Sequence, residues 1–161
     1  MLTREQFLPH EMRIVAALRM QGASDEQVIV RVKSENLFQY PTERMVANRA
    51  TVCLRRLDAM VPTDAVCAAR GIDPKTAVEA ASSLTRLMAS GTPTQADWAI
   101  FYSMICRYDI VRELVLVEVG ERLQNFDYAF TAVDLNAFMT RFTTEYPDAA
   151  RWTEATVKRI K

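Results

Sequence analysis

At 161 residues, with zero formal net charge, 50% hydrophobic and 25% charged residues, the chain has the makeup of one ordinary globular domain. Its four glycines are too few for a loop-rich β-sandwich or barrel, and no apolar run approaches the roughly 20 residues that cross a bilayer. The first residues, Met1-Leu-Thr-Arg-Glu-Gln, contain no apolar h-region, so no signal peptide is expected and the protein reads as cytoplasmic.

Helix punctuation recurs from end to end. A first helix is predicted from Pro9 to Gln21, with Met12, Val15 and Leu18 near one face and Gly22 past its C-terminus. Ser24 opens a second helix, with Gln27 three residues on completing a capping box, and Val28, Ile29 and Val32 on its buried face. Pro41 starts a long third helix reaching Met60. Thr63 caps a short helix that stops at Gly71. Asp73-Pro74 forms an N-cap and N1 pair before Ala77, Ala81, Leu84 and Met88, which follow at helical spacing up to Gly91. Thr94 with Asp97 opens the next helix, with Trp98, Phe101, Tyr102 and Ile105 on the apolar stripe.

From Asp109 to Gln124 two readings compete. Val115-Leu-Val-Glu-Val119 has strand propensity, whereas its length and the lack of a partner strand favour a buried central helix. Phe126, Tyr128 and Phe130 alternate, which predicts an extended piece. Thr131 with Asp134 caps a helix carrying Leu135, Phe138, Met139 and Phe142, and Thr153 starts a last helix inside which the sequence stops at Lys161. These elements predict one all-helical domain over residues 1–161, with a core containing Val15, Leu18, Val28, Val46, Cys53, Leu57, Leu84, Trp98, Phe101, Leu114, Phe138 and Phe142. Trp152, just before the Thr153 cap, is expected to pack back onto the helices.

The chemistry of catalysis is sparse. Cys53, Cys67 and Cys106 are odd in number, show no Cys-x-x-Cys spacing and sit among apolar neighbours, so reduced, metal-free thiols are expected. The lone His10 reads as a surface or first-turn residue. Neither a nucleophile elbow, a P-loop nor a Gly-x-Gly-x-x-Gly is present. Catalytic residues, metal, cofactor and small-molecule substrate are all expected to be none, and a binding protein is expected.

The third helix carries the clearest binding chemistry. At 100° per residue Val46, Ala50, Cys53 and Leu57 make an apolar stripe, while Arg44, Asn48, Thr51 and Arg55 fall on the opposite face. Arg49 and Arg56 are expected to flank that row. Arginine neutralises phosphate and reads guanine, and asparagine pairs with adenine, so this face suits nucleic acid; a solvated arginine-rich surface is the alternative. Residues 61–150 carry seven basic against twelve acidic groups, and residues 151–161 four against one, which adds Lys158 and Arg159 to the candidate contacts. Sixteen of the twenty basic residues are arginine, a bias that phosphate binding and a GC-rich genome both produce. The order helix, Gly22-Ala-Ser24, helix, basic helix is similar to helix-turn-helix domains, but residues 34–40 are too many for a tight turn before a recognition helix.

Several segments together resemble the BrxA family of BREX phage-defence systems. They are Arg13-Ile-Val-Ala16 with Leu18 and Gly22, Glu35-Asn-Leu37, the Arg44 to Leu57 helix ending Leu54-Arg-Arg-Leu57, and Trp152-Thr-Glu-Ala-Thr-Val-Lys-Arg159. The resemblance implies an all-helical bundle similar to the antitermination factor NusB, binding of double-stranded DNA, and work beside other BREX system proteins; that no segment can span a bilayer predicts no membrane partner. It also implies members that continue past the final helix, so the C-terminal helix here reads either as truncated or as that of a short member. Alternatives from other classes are a helical scaffold that docks proteins within a complex, and an RNA-binding protein.

Overall fold

Local capping signals set most of the helix boundaries. The structure, a computed structural model, describes residues 7–160, the side chain of residue 159 excepted. Every regular element among the described residues is helical, and they divide into two compact units, Phe7–Arg107 and the residues from Tyr108 onward. None of these helices is long and apolar enough to cross a membrane.

The first unit contains α1 (Pro9–Met20), α2 (Asp25–Ser34), α3 (Glu43–Asp58), α4 (Asp64–Arg70), α5 (Pro74–Ser90) and α6 (Pro93–Arg107). Ser24 accepts from the Gln27 backbone N–H while the Gln27 side chain accepts from the Ser24 N–H, the expected reciprocal box. Thr63 and Asp73 cap α4 and α5 by accepting from the Val66 and Thr76 N–H without a return bond, and Gly71 ends α4 at φ 65°, where a side chain would be strained. Helix α3 begins two residues later than expected, because Thr42 rather than the proline supplies the cap oxygen.

Helix α1 packs against α3 and α5, α5 packs on α6, and α2 packs on α3. Between them Met12, Val15, Val28, Val32, Val46, Cys53, Met88 and Ile100 are fully out of water. Each such aliphatic side chain contributes roughly 1.5–3 kcal/mol on burial, which is what holds these short helices together. The connection from α2 to α3 spans residues 35–42 and passes through left-handed conformations at Asn36 and Gln39, so the two helices do not form a tight helix-turn-helix.

Helix α6 corrects the sequence reading. Its cap is the box between Thr92 and Gln95, not Thr94 with Asp97. Its buried stripe is Ala96, Ala99, Ile100 and Ser103. Trp98 is 67% exposed and meets Phe101 edge-on at 6.3 Å, with Phe101 itself half-buried and Tyr102 exposed. Both stripes have the same helical spacing, and the one with the smaller residues faces the core because it lets neighbouring helices approach.

The second unit contains α7 (Asp109–Arg112), a π-helical segment (Glu113–Val119), α8 (Gly120–Gln124), α9 (Ala132–Glu145), a 3₁₀ turn (Ala149–Arg151) and α10 (Glu154–Ile160). Helix wins over strand at Val115–Val119, but the segment is not the buried centre expected: no residue of Glu113–Val119 is buried, and Leu116 is exposed. Leu114 and, in the first unit, Leu84 are half-buried rather than core. Phe138, Met139 and Phe142 are buried along α9. Trp152 lies half-buried against Phe142 at 5.9 Å between ring centroids, and Tyr146 stacks on the same ring at 4.2 Å. Thr153 then accepts from the Thr156 N–H to start α10.

Candidate nucleic-acid interface

Helix α3 presents two faces of opposite chemistry. Val46, Ala50, Cys53, Leu54 and Leu57 are buried. On the other side Arg44, Asn48 and Arg55 are exposed, and Thr51 is half-buried with its hydroxyl donating to the Ala47 carbonyl at 2.9 Å. These four positions fall within an arc of about 60° at 100° per residue, and Arg44 and Arg55 stand about 16 Å apart along the axis.

The acidic residues at the two ends of α3 point elsewhere. Glu43 pairs with Lys33 of α2 at 3.1 Å, and Asp58 takes a bond from Arg19 of α1 at 3.0 Å. Arg19 also pairs with Asp25 at 2.5 Å. Burial pushes the Asp58 carboxyl above its ordinary range, the nearby Asp25 carboxylate adds to this, and Arg19 opposes both. No ion pair among the described residues engages Arg44 or Arg55, so their charges face solvent uncompensated.

The two arginines expected to flank the row do not both do so. Arg56 is 0% exposed, and its guanidinium donates to the Phe7 carbonyl at 3.0 Å. It belongs to the interior and makes no contact surface. Arg49 is half-buried beside Tyr40, whose hydroxyl donates to the buried Glu11 carboxylate. That hydrogen bond holds the Tyr40 hydroxyl above its usual pKa, burial adds to it, and Arg49 pulls the other way. Lys158 is exposed on α10 of the second unit, and the Arg159 side chain lies outside the described residues.

His10 is exposed in the first turn of α1, and no three His, Cys, Asp or Glu side chains among the described residues converge as metal ligands. Cys53 and Cys67 are buried, Cys106 is half-buried, and no disulfide joins them. A groove of about 250 Å³ is lined by apolar Met20, Leu57, Val61, Val78 and Ala81 together with polar Arg19, Asp58, Ser82 and Thr85. Residue-by-residue reading missed a different feature, the exposure of Phe126 and Tyr128, whose alternation was visible but whose surroundings were not.

The BrxA family model matches residues 1–161. The chain belongs to the BrxA family. Membership associates it with BREX phage defence. No curated protein and no solved structure matches the chain. The segments that carry the BrxA resemblance are largely fold-bearing: Val15 and Ala16 lie in the core, Leu54, Arg56 and Leu57 are buried in α3, and Trp152 and Thr153 anchor and cap α10.

Proposed function

We propose that this BrxA-family chain is a non-catalytic accessory protein of a BREX-type defence system that binds double-stranded DNA through the exposed face of α3. The observation that carries the reading is the row of Arg44, Asn48 and Arg55, exposed on one side of a helix whose own carboxylates are paired away from it. A B-DNA major groove is about 12 Å wide. Two arginines about 16 Å apart along a helix suit phosphates on its two borders, with Asn48 between them facing base edges. Thr51 adds a shorter polar contact, and Arg49 stands at the margin. No cofactor or small-molecule substrate enters this reading. The partners are duplex DNA and other proteins of the same defence system.

The test is a titration of the purified chain against duplex DNA, single-stranded DNA and RNA of one sequence, at about 50 and 200 mM salt. Two or three phosphate contacts give a loss of duplex affinity of about ten- to forty-fold between these conditions, because each contact releases condensed counterions. Preference for RNA would assign the face to RNA instead. Absence of binding to any of the three would leave a protein-docking scaffold as the function.

A further inference from the structure

The chain from Leu116 to Val133 turns an unusual amount of apolar surface outward. Phe126 is 79% and Tyr128 75% exposed, and Leu116, Leu123, Phe130 and Val133 are exposed beside them in sequence. Phe126, Tyr128 and Val133 thus each leave most of a large apolar side chain in water, where scattered single residues are usual but three within eight positions are not. Phe126 also has φ 57°, a left-handed conformation that a bulky side chain adopts only against a steric penalty.

The loop is braced so that this surface stays outward. The Arg122 guanidinium donates to Asp127 Oδ2 at 2.8 Å, to the Ala129 carbonyl at 3.0 Å and to Asp134 Oδ1 at 2.7 Å, and lies 5.6 Å from the Phe130 ring centroid. Asp127 Oδ1 accepts from the Ala129 N–H, and Asp134 Oδ2 from the Thr131 N–H. Polar groups of the loop and the Phe130 ring are gathered on Arg122, while Phe126 and Tyr128 are left to solvent. The rim is acidic. Glu118, Glu121 and Asp127 lie in this stretch and Asp134 directly after it, against Arg122 alone, and Arg141 reaches in only to Glu118. A phosphate backbone is repelled by such a rim.

We infer that the Leu116–Val133 stretch is a docking surface for another protein of the same defence system, one that offers an apolar contact ringed by lysine or arginine. Phe126 and Tyr128 are its anchors, pre-organised by Arg122 so that little side-chain and loop freedom is lost on binding. Glu121, with Asp127, supplies the charge that selects a basic partner and orients it. The inference rests on family membership and not on DNA binding by α3.

The test co-expresses the tagged full chain with each other protein of its BREX system in turn. Wild type, the double variant Phe126→Ser with Tyr128→Ser, and Glu121→Lys are compared for the protein retained. The expected result is one partner retained by wild type, at least tenfold less retained by the double variant, and several-fold less by Glu121→Lys. Thermal melting and duplex binding stay at wild-type values in both variants, since each substitution is on the exterior. Four results would overturn the inference. They are equal retention by all three forms, retention of no BREX protein by wild type, loss of nucleic-acid binding in the double variant, and a wild-type dimer that the double variant abolishes.

Discussion

Arg56 donates to the carbonyl oxygen of Phe7 at 3.0 Å from a position wholly shielded from water, while its neighbour Arg55, about 100° around α3, stands exposed. Adjacent residues of one type therefore have opposite roles. Arg56→Ala removes the donor from the Phe7 carbonyl and opens a cavity where the buried side chain was. A loss of about 2–4 kcal/mol is expected, with a fall in Tm on the order of 10 °C. Arg55→Ala, in contrast, changes stability by roughly 0.5 kcal/mol or less, because it removes an exposed side chain from a helix that alanine favours. Parallel denaturant melts of the two variants check this pair, and equal destabilisation would contradict the burial difference.

Replacing Arg44 and Arg55 together tests the proposed interface without disturbing the fold. Each lost phosphate contact lowers the slope of log affinity against log salt by about 0.9, so the double alanine variant flattens it by about two units. Asn48→Ala weakens binding with little change in slope, since base-edge contacts release no counterions. A folded double variant with wild-type affinity and slope removes α3 from the interface.

Signals made of residues three or four apart were the most legible. The boxes at Ser24–Gln27 and Thr131–Asp134 and the Asp73-Pro74 start are each complete within one turn, and each forms as expected. Helix phase was less legible. In α6 the large residues from Trp98 to Ile105 and the smaller ones from Ala96 to Ser103 share one period, and only the neighbouring helices decide between them. The positions of Arg49 and Arg56 were partly readable: on the helical wheel they fall about 130° and 110° from the centre of the Arg44–Arg55 row, closer to the buried stripe. One partner of Arg56, the Phe7 carbonyl, is 49 positions away and has no local signature. The bracing of the aromatic loop is invisible for the same reason, since Arg122 meets Asp134 across twelve residues.

The N-cap of α5 gives a pH dependence with a defined sign. Asp73 accepts from the Thr76 N–H at 2.9 Å and from the Thr76 hydroxyl at 3.0 Å, and these bonds hold its carboxyl below the ordinary range, the backbone bond most of all. A depressed pKa in the folded state means stability that is present above the unfolded value of about 3.9 and is lost as pH falls through the folded one. Asp73→Asn keeps an oxygen at the cap but no charge at the helix N-terminus. Wild type is therefore expected to melt above the variant at pH 7, with the gap narrowing as pH drops below about 4. A gap that stays constant from pH 7 to pH 2 would mean that the carboxylate charge contributes nothing there.

Arg122 is the residue on which the aromatic loop depends, and protease susceptibility reads its role directly. Its guanidinium holds Asp127, Ala129 and Asp134 at once, so residues 127–131 have few ways to open while it stays in place. Chymotrypsin prefers bonds after Phe and Tyr, and Phe126, Tyr128 and Phe130 put three such bonds in five residues. Cleavage needs an extended, mobile backbone, and exposure of the rings alone does not supply it. Arg122→Met keeps an unbranched aliphatic side chain at this position and removes every donor. The variant is expected to be nicked at residues 126–130 on the order of ten times faster than wild type, with faster amide exchange over residues 127–131. The rest of α9 keeps its protection, because Thr131 and Asp134 still close their capping box without the arginine. Equal nicking rates for the two proteins would show that the loop is held by something other than Arg122. Loss of protection throughout α9 would make Arg122 a support of the whole second unit and not a brace for the loop alone.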